Sequence, residues 1–198
     1  MSERFSFEPL ALLPAAMLLY LGSFGEIAAV LLPVLVHELG HVAAFTLLGL
    51  RIRCVRLELR GLCIEYYGAC GAAGHALAAV AGPVAGVVWA FAASFWAKQV
   101  DWLYLSAGVS LLLSIFNLLP ALPLDGGRIL LALSCAFAGE RNGARLTEAV
   151  SLFVGAGLLA CGVWLLLRGE GIAVLTASVW LLCWQESGSG LVKRPEMI

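Results

Sequence analysis

Three ionisable side chains stand in an otherwise apolar stretch, Val34-Leu35-Val36-His37-Glu38-Leu39-Gly40-His41-Val42-Ala43-Ala44. On a helix, positions i and i+4 project from one face. His37 and His41 can therefore grip one tetrahedral zinc ion while Glu38 leans toward its water. This is the HExxH spacing of zinc hydrolases, and chance yields it on the order of once in several hundred chains of this make-up. From Ile27 to Leu50 these three are the only ionisable residues. An unpaired charge at mid-bilayer costs roughly 2.5–3.5 kcal/mol or more, a cost that a divalent cation would offset.

A second constellation comes late, in Asn117-Leu118-Leu119-Pro120-Ala121-Leu122-Pro123-Leu124-Asp125-Gly126-Gly127-Arg128. Two prolines and two glycines break the helix there, leaving carbonyls and amides that only protein or a wet cavity can satisfy. Alone, Leu-Asp-Gly-Gly is a turn in which Asp125 caps a helix running on to Ala138. Beside the histidines it gains a second meaning. Two imidazoles leave zinc short of a protein ligand, and a carboxylate would complete the set with one position open for water. Apart from Glu38, Asp125 is the best-placed intramembrane carboxylate, since Glu26 and Asp101 read as outer-loop residues. Asn117 is either bonded to the broken backbone or a donor facing substrate.

The elements that position these groups follow from hydropathy. The chain is 62% hydrophobic and 13% charged, with mean hydropathy +0.96, too apolar for a soluble domain of 198 residues. The expected fold is an all-α polytopic membrane protein. It has about six transmembrane helices, a small cytoplasmic β-hairpin and a broken helix at the Leu-Asp-Gly motif. Spans are expected at Pro9–Leu21, Ile27–Leu48, His75–Ala97, Trp102–Leu119, Leu146–Leu167 and Gly171–Trp184. One domain covers residues 1–198, with a core at about 27–139 and peripheral spans at about 9–21, 146–167 and 171–184. A net charge of -1 offers no basic patch for nucleic acid. The first apolar run lacks a charged leader and a small-residue cleavage site, so it reads as a retained span.

With the N-terminus in the cytosol, ten of the twelve Lys and Arg residues fall on that side, leaving Lys98 and Arg168 outside. Both termini are then cytoplasmic, and His41 lies roughly 12 Å from the cytoplasmic end of its helix at 1.5 Å per residue. The alternation Val55-Arg56-Leu57-Glu58-Leu59-Arg60, the turn at Gly61 and Leu62–Tyr67 form the hairpin. It is either an amphipathic sheet at the interface or an edge strand that pairs with an extended peptide. Gly82 and Gly86, around Pro83, form a small-xxx-small pair expected to pack on the histidine-bearing helix. Cys135, Cys161 and Cys183 read as packing residues. Cys54, Cys63 and Cys70 with His75 fit no common ligand pattern, and reduced cytosolic thiols are the simpler reading.

HELGH in an early span, Gly-Pro in the next and NLLPALPLDGGR after it resemble the site-2 protease family of zinc-dependent intramembrane proteases. The resemblance covers about residues 27–135. The small plan is most similar to the bacterial subgroup of sporulation proteases that process a membrane-tethered sigma-factor precursor. It implies that His37, His41 and Asp125 bind zinc (Zn2+), that Glu38 is the catalytic base, and that Asn117 holds substrate or the developing oxyanion. It also implies a membrane-tethered protein substrate, the bilayer and a membrane inhibitor or regulator as partners, and location in the bacterial cytoplasmic membrane. Many relatives carry Asn where this chain has Gly86. The rival class is a membrane zinc-binding or transport protein without proteolytic activity. A transport path needs polar groups along several helices, and the last two spans offer few.

Overall fold

Ser23 opens the first helix among the described residues, α1 (Phe24–Leu47), with a capping box. Its backbone N–H donates to Glu26 Oε2 at 2.7 Å, and its hydroxyl accepts from the Glu26 N–H at 3.4 Å. Glu26 is thus part of a helix, not of an outer loop. At the other end Gly49 takes φ +71 and the Leu50 N–H reaches back to the Phe45 carbonyl at 2.9 Å, closing the helix as left-handed glycines commonly do. The computed structural model describes residues 5–7, 22–58, 61–67, 70–170 and 172–188. The span expected at Pro9–Leu21 lies outside them, as do residues 189–198 of the polar tail.

After α1 come β2 (Arg51–Glu58) and β3 (Gly61–Tyr67), preceded in the chain by the short β1 (Phe5–Phe7). Among the described residues five more helices follow: α2 (Ala72–Trp96), α3 (Trp102–Asn117), α4 (Asp125–Ala138), α5 (Glu140–Leu167) and α6 (Ile172–Gly188). By length and composition α1, α2 and α5 can cross a membrane, whereas α3 and the apolar part of α6 are shorter. The last long helix begins at Glu140 rather than Leu146, because its first turns are polar and fall outside any apolar window.

The contacts divide the chain into two units. The first comprises Met1–Cys70 and Ala81–Ile115. Its sheet has the order β1-β2-β3. β1 runs parallel to β2, and β2 pairs antiparallel with β3 from Arg51 opposite Tyr67 to Glu58 opposite Gly61. In the same unit α1 and α2 touch nearly backbone to backbone. A Cβ on Gly40 would stand 2.6 Å from the Ala81 carbonyl oxygen and 2.7 Å from Ala85 Cβ. On α3, Ser106, Ser110 and Ser114 are fully buried at four-residue intervals. Ser110 Oγ donates to the Gly86 carbonyl at 2.8 Å, Trp89 Nε1 donates to Ser106 Oγ at 3.0 Å, and Ser114 Oγ donates to the Ser110 carbonyl at 2.8 Å.

These contacts correct one expectation. A Cβ on Gly82 would fall on His41, but one on Gly86 would fall on Ser114 Oγ of α3. The pair is divided between two neighbours. Residues four apart differ by about 40° around a helix, enough for adjoining positions on one helix to face different partners.

The second unit comprises Gly71–Val80 and Phe116–Ile198. Ala121, Leu124 and Leu181 form its buried centre, with Phe116, Leu119, Val154, Leu158 and Trp180 packed around them. Gly139 alone joins α4 to α5, at φ +79. The two helices meet where Ser134 Oγ contacts Thr147 Oγ1 at 3.1 Å and donates to the Gly143 carbonyl at 3.1 Å. A Cβ on Gly143 would collide with the backbone of Cys135. Many large apolar side chains face outward, Phe91, Phe95, Phe137, Phe153 and Leu167 among them, while histidine, serine, threonine and an aspartate are buried. That inversion suits a hydrocarbon surround.

Candidate metal centre

His37 and His41 lie one turn apart on α1, only 4% and 6% exposed. Their Nε2 atoms are 3.2 Å apart, and the rings meet edge to face at 80°. Two nitrogens each 2.0–2.1 Å from one tetrahedral ion would be separated by about 3.3–3.4 Å, so the pair is already spaced as ligands. One turn earlier stands Pro33, fully buried, with no N–H to offer the Ala29 carbonyl of the preceding turn. Glu38 is half-buried. It falls one residue after His37 and three before His41, which brings it near the same helix face.

Asp125 is the first residue of α4 and 5% exposed. The cap position belongs to Leu124, which makes no side-chain cap bond. Asp125 is therefore not the capping residue that the turn reading expected. A carboxylate in the first turn still gains from the helix dipole, and Arg128 Nη1 lies 3.8 Å from its Oδ1.

Gly126 and Gly127 also differ from the turn reading. Neither has positive φ, and both lie within the helix. They are glycines because there is no room for a side chain. A Cβ on Gly126 would meet the Leu118 and Leu119 carbonyls, and one on Gly127 would come within 2.5 Å of the Ala121 carbonyl carbon and the Leu122 nitrogen. The proline-rich break thus lies against the first turn of α4 and fixes the helix that carries Asp125. The break has its own bonds: the Ala121 N–H donates to the Leu119 carbonyl at 2.7 Å and the Leu124 N–H to the Ala121 carbonyl at 2.9 Å. Ser151 Oγ of α5 accepts from the Leu122 N–H at 3.0 Å. The Leu122–Pro123 bond is cis.

His37, His41 and Asp125 are all buried, and each offers a ligand atom. Two imidazoles and a carboxylate suit zinc by the chemistry of the donors. Asn117 closes α3, half-buried, at the start of the break. Among the described residues no other group of His, Cys, Asp and Glu has this character. Cys54 and Cys63 lie on β2 and β3. The Cys70 thiol is pushed up by burial, away from the thiolate that a metal requires. His75 sits in the first turn of α2.

A family sequence model matches residues 73–161. It is that of peptidase family M50. The matched stretch holds Asp125 and the break but not the two histidines, so the family M50 likeness and HELGH are separate observations. The Synechocystis protein titled "Putative zinc metalloprotease sll0528" is 30% identical over 128 residues, 60% of this chain and 34% of that protein. The chain thus spans about a third of the length of this curated relative. The fold is similar to that of "Site-2 Protease from Methanocaldococcus jannaschii", with a TM-score of 0.72 at 20% identity over 96% of this chain and 93% of that one. The likeness to site-2 proteases is borne out by the family model over residues 73–161 and by the fold.

Some contributors escaped the sequence reading. The sequence does not single out Gly40 or Ser151, and it points Gly82 at helix packing rather than at an imidazole. The glycines were visible as letters, but which neighbour each one faced was not.

Proposed function

We propose that this chain is an intramembrane metalloendopeptidase that hydrolyses a peptide bond in or near a transmembrane segment of a membrane-tethered protein. His37, His41 and Asp125 hold zinc, Glu38 is the general base, and Asn117 contacts substrate or the developing oxyanion. The observation carrying this reading is the pair of buried imidazoles one turn apart on α1, their Nε2 atoms 3.2 Å from each other. The match to family M50 over the stretch containing Asp125 supports it independently.

When bound, zinc supplies Lewis acidity toward the scissile carbonyl and acidifies a water toward neutral pH. The remaining work falls to the chain. Glu38, beside both histidines on α1, takes the proton from the attacking water and delivers it to the leaving amine. The His37–His41 spacing sets both donors before any ligand arrives. The break at 118–124 supplies backbone polar groups where water must reach and lipid must not. A hydrogen bond from Asn117 to the tetrahedral oxyanion would contribute a factor of roughly 10²–10³ in kcat, the scale of such donors. We place the chain in a bacterial cytoplasmic membrane with both termini in the cytosol, and its regulator in the same bilayer.

The test is Glu38→Gln, which removes the base while keeping the side chain's shape. The purified variant should retain zinc and lose cleavage of a co-expressed membrane-tethered substrate. Full cleavage by that variant would refute the mechanism.

A further inference from the structure

We infer that Gly82 is a positioning residue of the metal centre: its bare backbone is the floor on which the coordinating edge of His41 rests. The inference depends on the zinc reading above. A Cβ built on Gly82 meets Nε2 of His41 first, then Cε1 at 2.6 Å and Cδ2 at 2.8 Å. All three belong to the tip of the imidazole, the edge that would face a metal. A methyl group there would take the place of that tip.

Neighbouring contacts keep the ring and the floor together. Gly40, the residue before His41, stands against Ala81, the residue before Gly82, so closely that a Cβ on Gly40 would be 2.6 Å from the Ala81 carbonyl oxygen. Residues 40–41 and 81–82 are thus apposed across the α1–α2 contact. Behind Gly82 comes the fully buried Pro83. Across from it, His37 Nε2 lies 3.2 Å from His41 Nε2. The His41 tip is held between Gly82 and His37. Such confinement lowers the ordering cost of ligand binding and sets where the donor atom points. Carbon atoms pack comfortably at about 3.5–4.0 Å, so an alanine at 82 would displace the ring tip by about 1 Å. Gly86, one turn later, provides the contrast. A Cβ there meets Ser114 Oγ, with Ser110 Oγ next at 3.5 Å, and touches neither histidine.

The test compares Gly82→Ala and Gly86→Ala in the purified full chain in detergent, with His41→Ala and the double variant His41→Ala/Gly82→Ala. Zinc affinity is read by competition with a chromophoric chelator, ligand geometry by the visible spectrum of the cobalt(II)-loaded protein, and stability by the unfolding midpoint without metal. Gly82→Ala should weaken zinc roughly 10–100-fold, the usual effect of disturbing a group that orients a ligand, and alter the cobalt spectrum. Gly86→Ala should leave both readouts near those of the unsubstituted protein. Without metal, the alanine at 82 should lower the midpoint when His41 is present and not when it is absent. Should Gly82→Ala fail to fold while the double variant folds, the inference stands; should both fail, the obstacle is not the imidazole and it falls. Unchanged zinc affinity and cobalt spectrum in Gly82→Ala would also overturn it. If the unsubstituted chain binds no zinc, the proposed function fails, and the midpoints alone decide whether Gly82 positions His41.

Discussion

Gly126→Ala puts one methyl group where the proline-rich break crosses α4. The new Cβ meets the carbonyl oxygens of Leu118 and Leu119 and stands 2.5 Å from the Leu118 carbonyl carbon. All three are backbone atoms, with no side chain to swing aside. Restoring a contact of about 3.5 Å requires the break and the first turn of α4 to part by about 1 Å. Overpacking of this kind costs roughly 1–3 kcal/mol, while alanine in place of helical glycine returns up to about 1 kcal/mol. The net loss of stability is therefore modest, about 0–3 kcal/mol. Activity should suffer more, because Asp125 is the adjacent residue and a shift of about 1 Å at a reacting centre can cost about 10²-fold. The control is Gly157→Ala on α5, where a Cβ meets nothing within 4 Å. Initial rates of reporter cleavage, normalised to protein level, and unfolding midpoints in detergent are measured for both. Gly126→Ala should be folded and nearly inactive, Gly157→Ala folded and active. Equal rates would refute the claim that the glycine pair fixes Asp125 by close approach.

Three other outcomes are expected. Ser151→Ala removes the acceptor 3.0 Å from the Leu122 N–H and should lower stability by roughly 1–3 kcal/mol; an unchanged unfolding midpoint would show that this bond does not hold the break. His37→Ala should leave the purified chain with far less than one zinc per molecule, so full metal content would remove His37 from the ligand set. Asn117→Ala should retain zinc yet lower kcat by roughly 10²-fold, and a loss of metal instead would give Asn117 a structural role.

The chemistry was more legible than the packing around it. HELGH is local: a spacing of four residues fixes the geometry of His37 and His41 once the segment is helical, and the surrounding apolar residues ensure that it is. The proline-rich break was legible for the same kind of reason, since Pro120 and Pro123 act on their own backbone. Contacts between distant elements were not. Nothing in the letters of Gly126-Gly127 separates a flexible turn from a helix with no room for Cβ atoms, and only the carbonyls of Leu118 and Leu119 decide it. Gly82 and Gly86 look equivalent in sequence, yet one faces an imidazole and the other a serine. Hydropathy hides the onset of α5, because Glu140, Arg141 and Arg145 make polar the turns that are helical all the same.

The one-residue joint at Gly139 sets more than a change of direction. Because α4 and α5 share no slack, the angular phase of α5 about its own axis is dictated by where α4 stops. Inserting a single residue there would turn every α5 side chain by about 100°. Ser151 would swing away from the Leu122 amide and Thr147 from Ser134, although no residue making those bonds had been altered. The length of that junction is therefore a specification in its own right: it carries timing information, as a keyway does on a shaft, that no substitution scan of α5 would reveal.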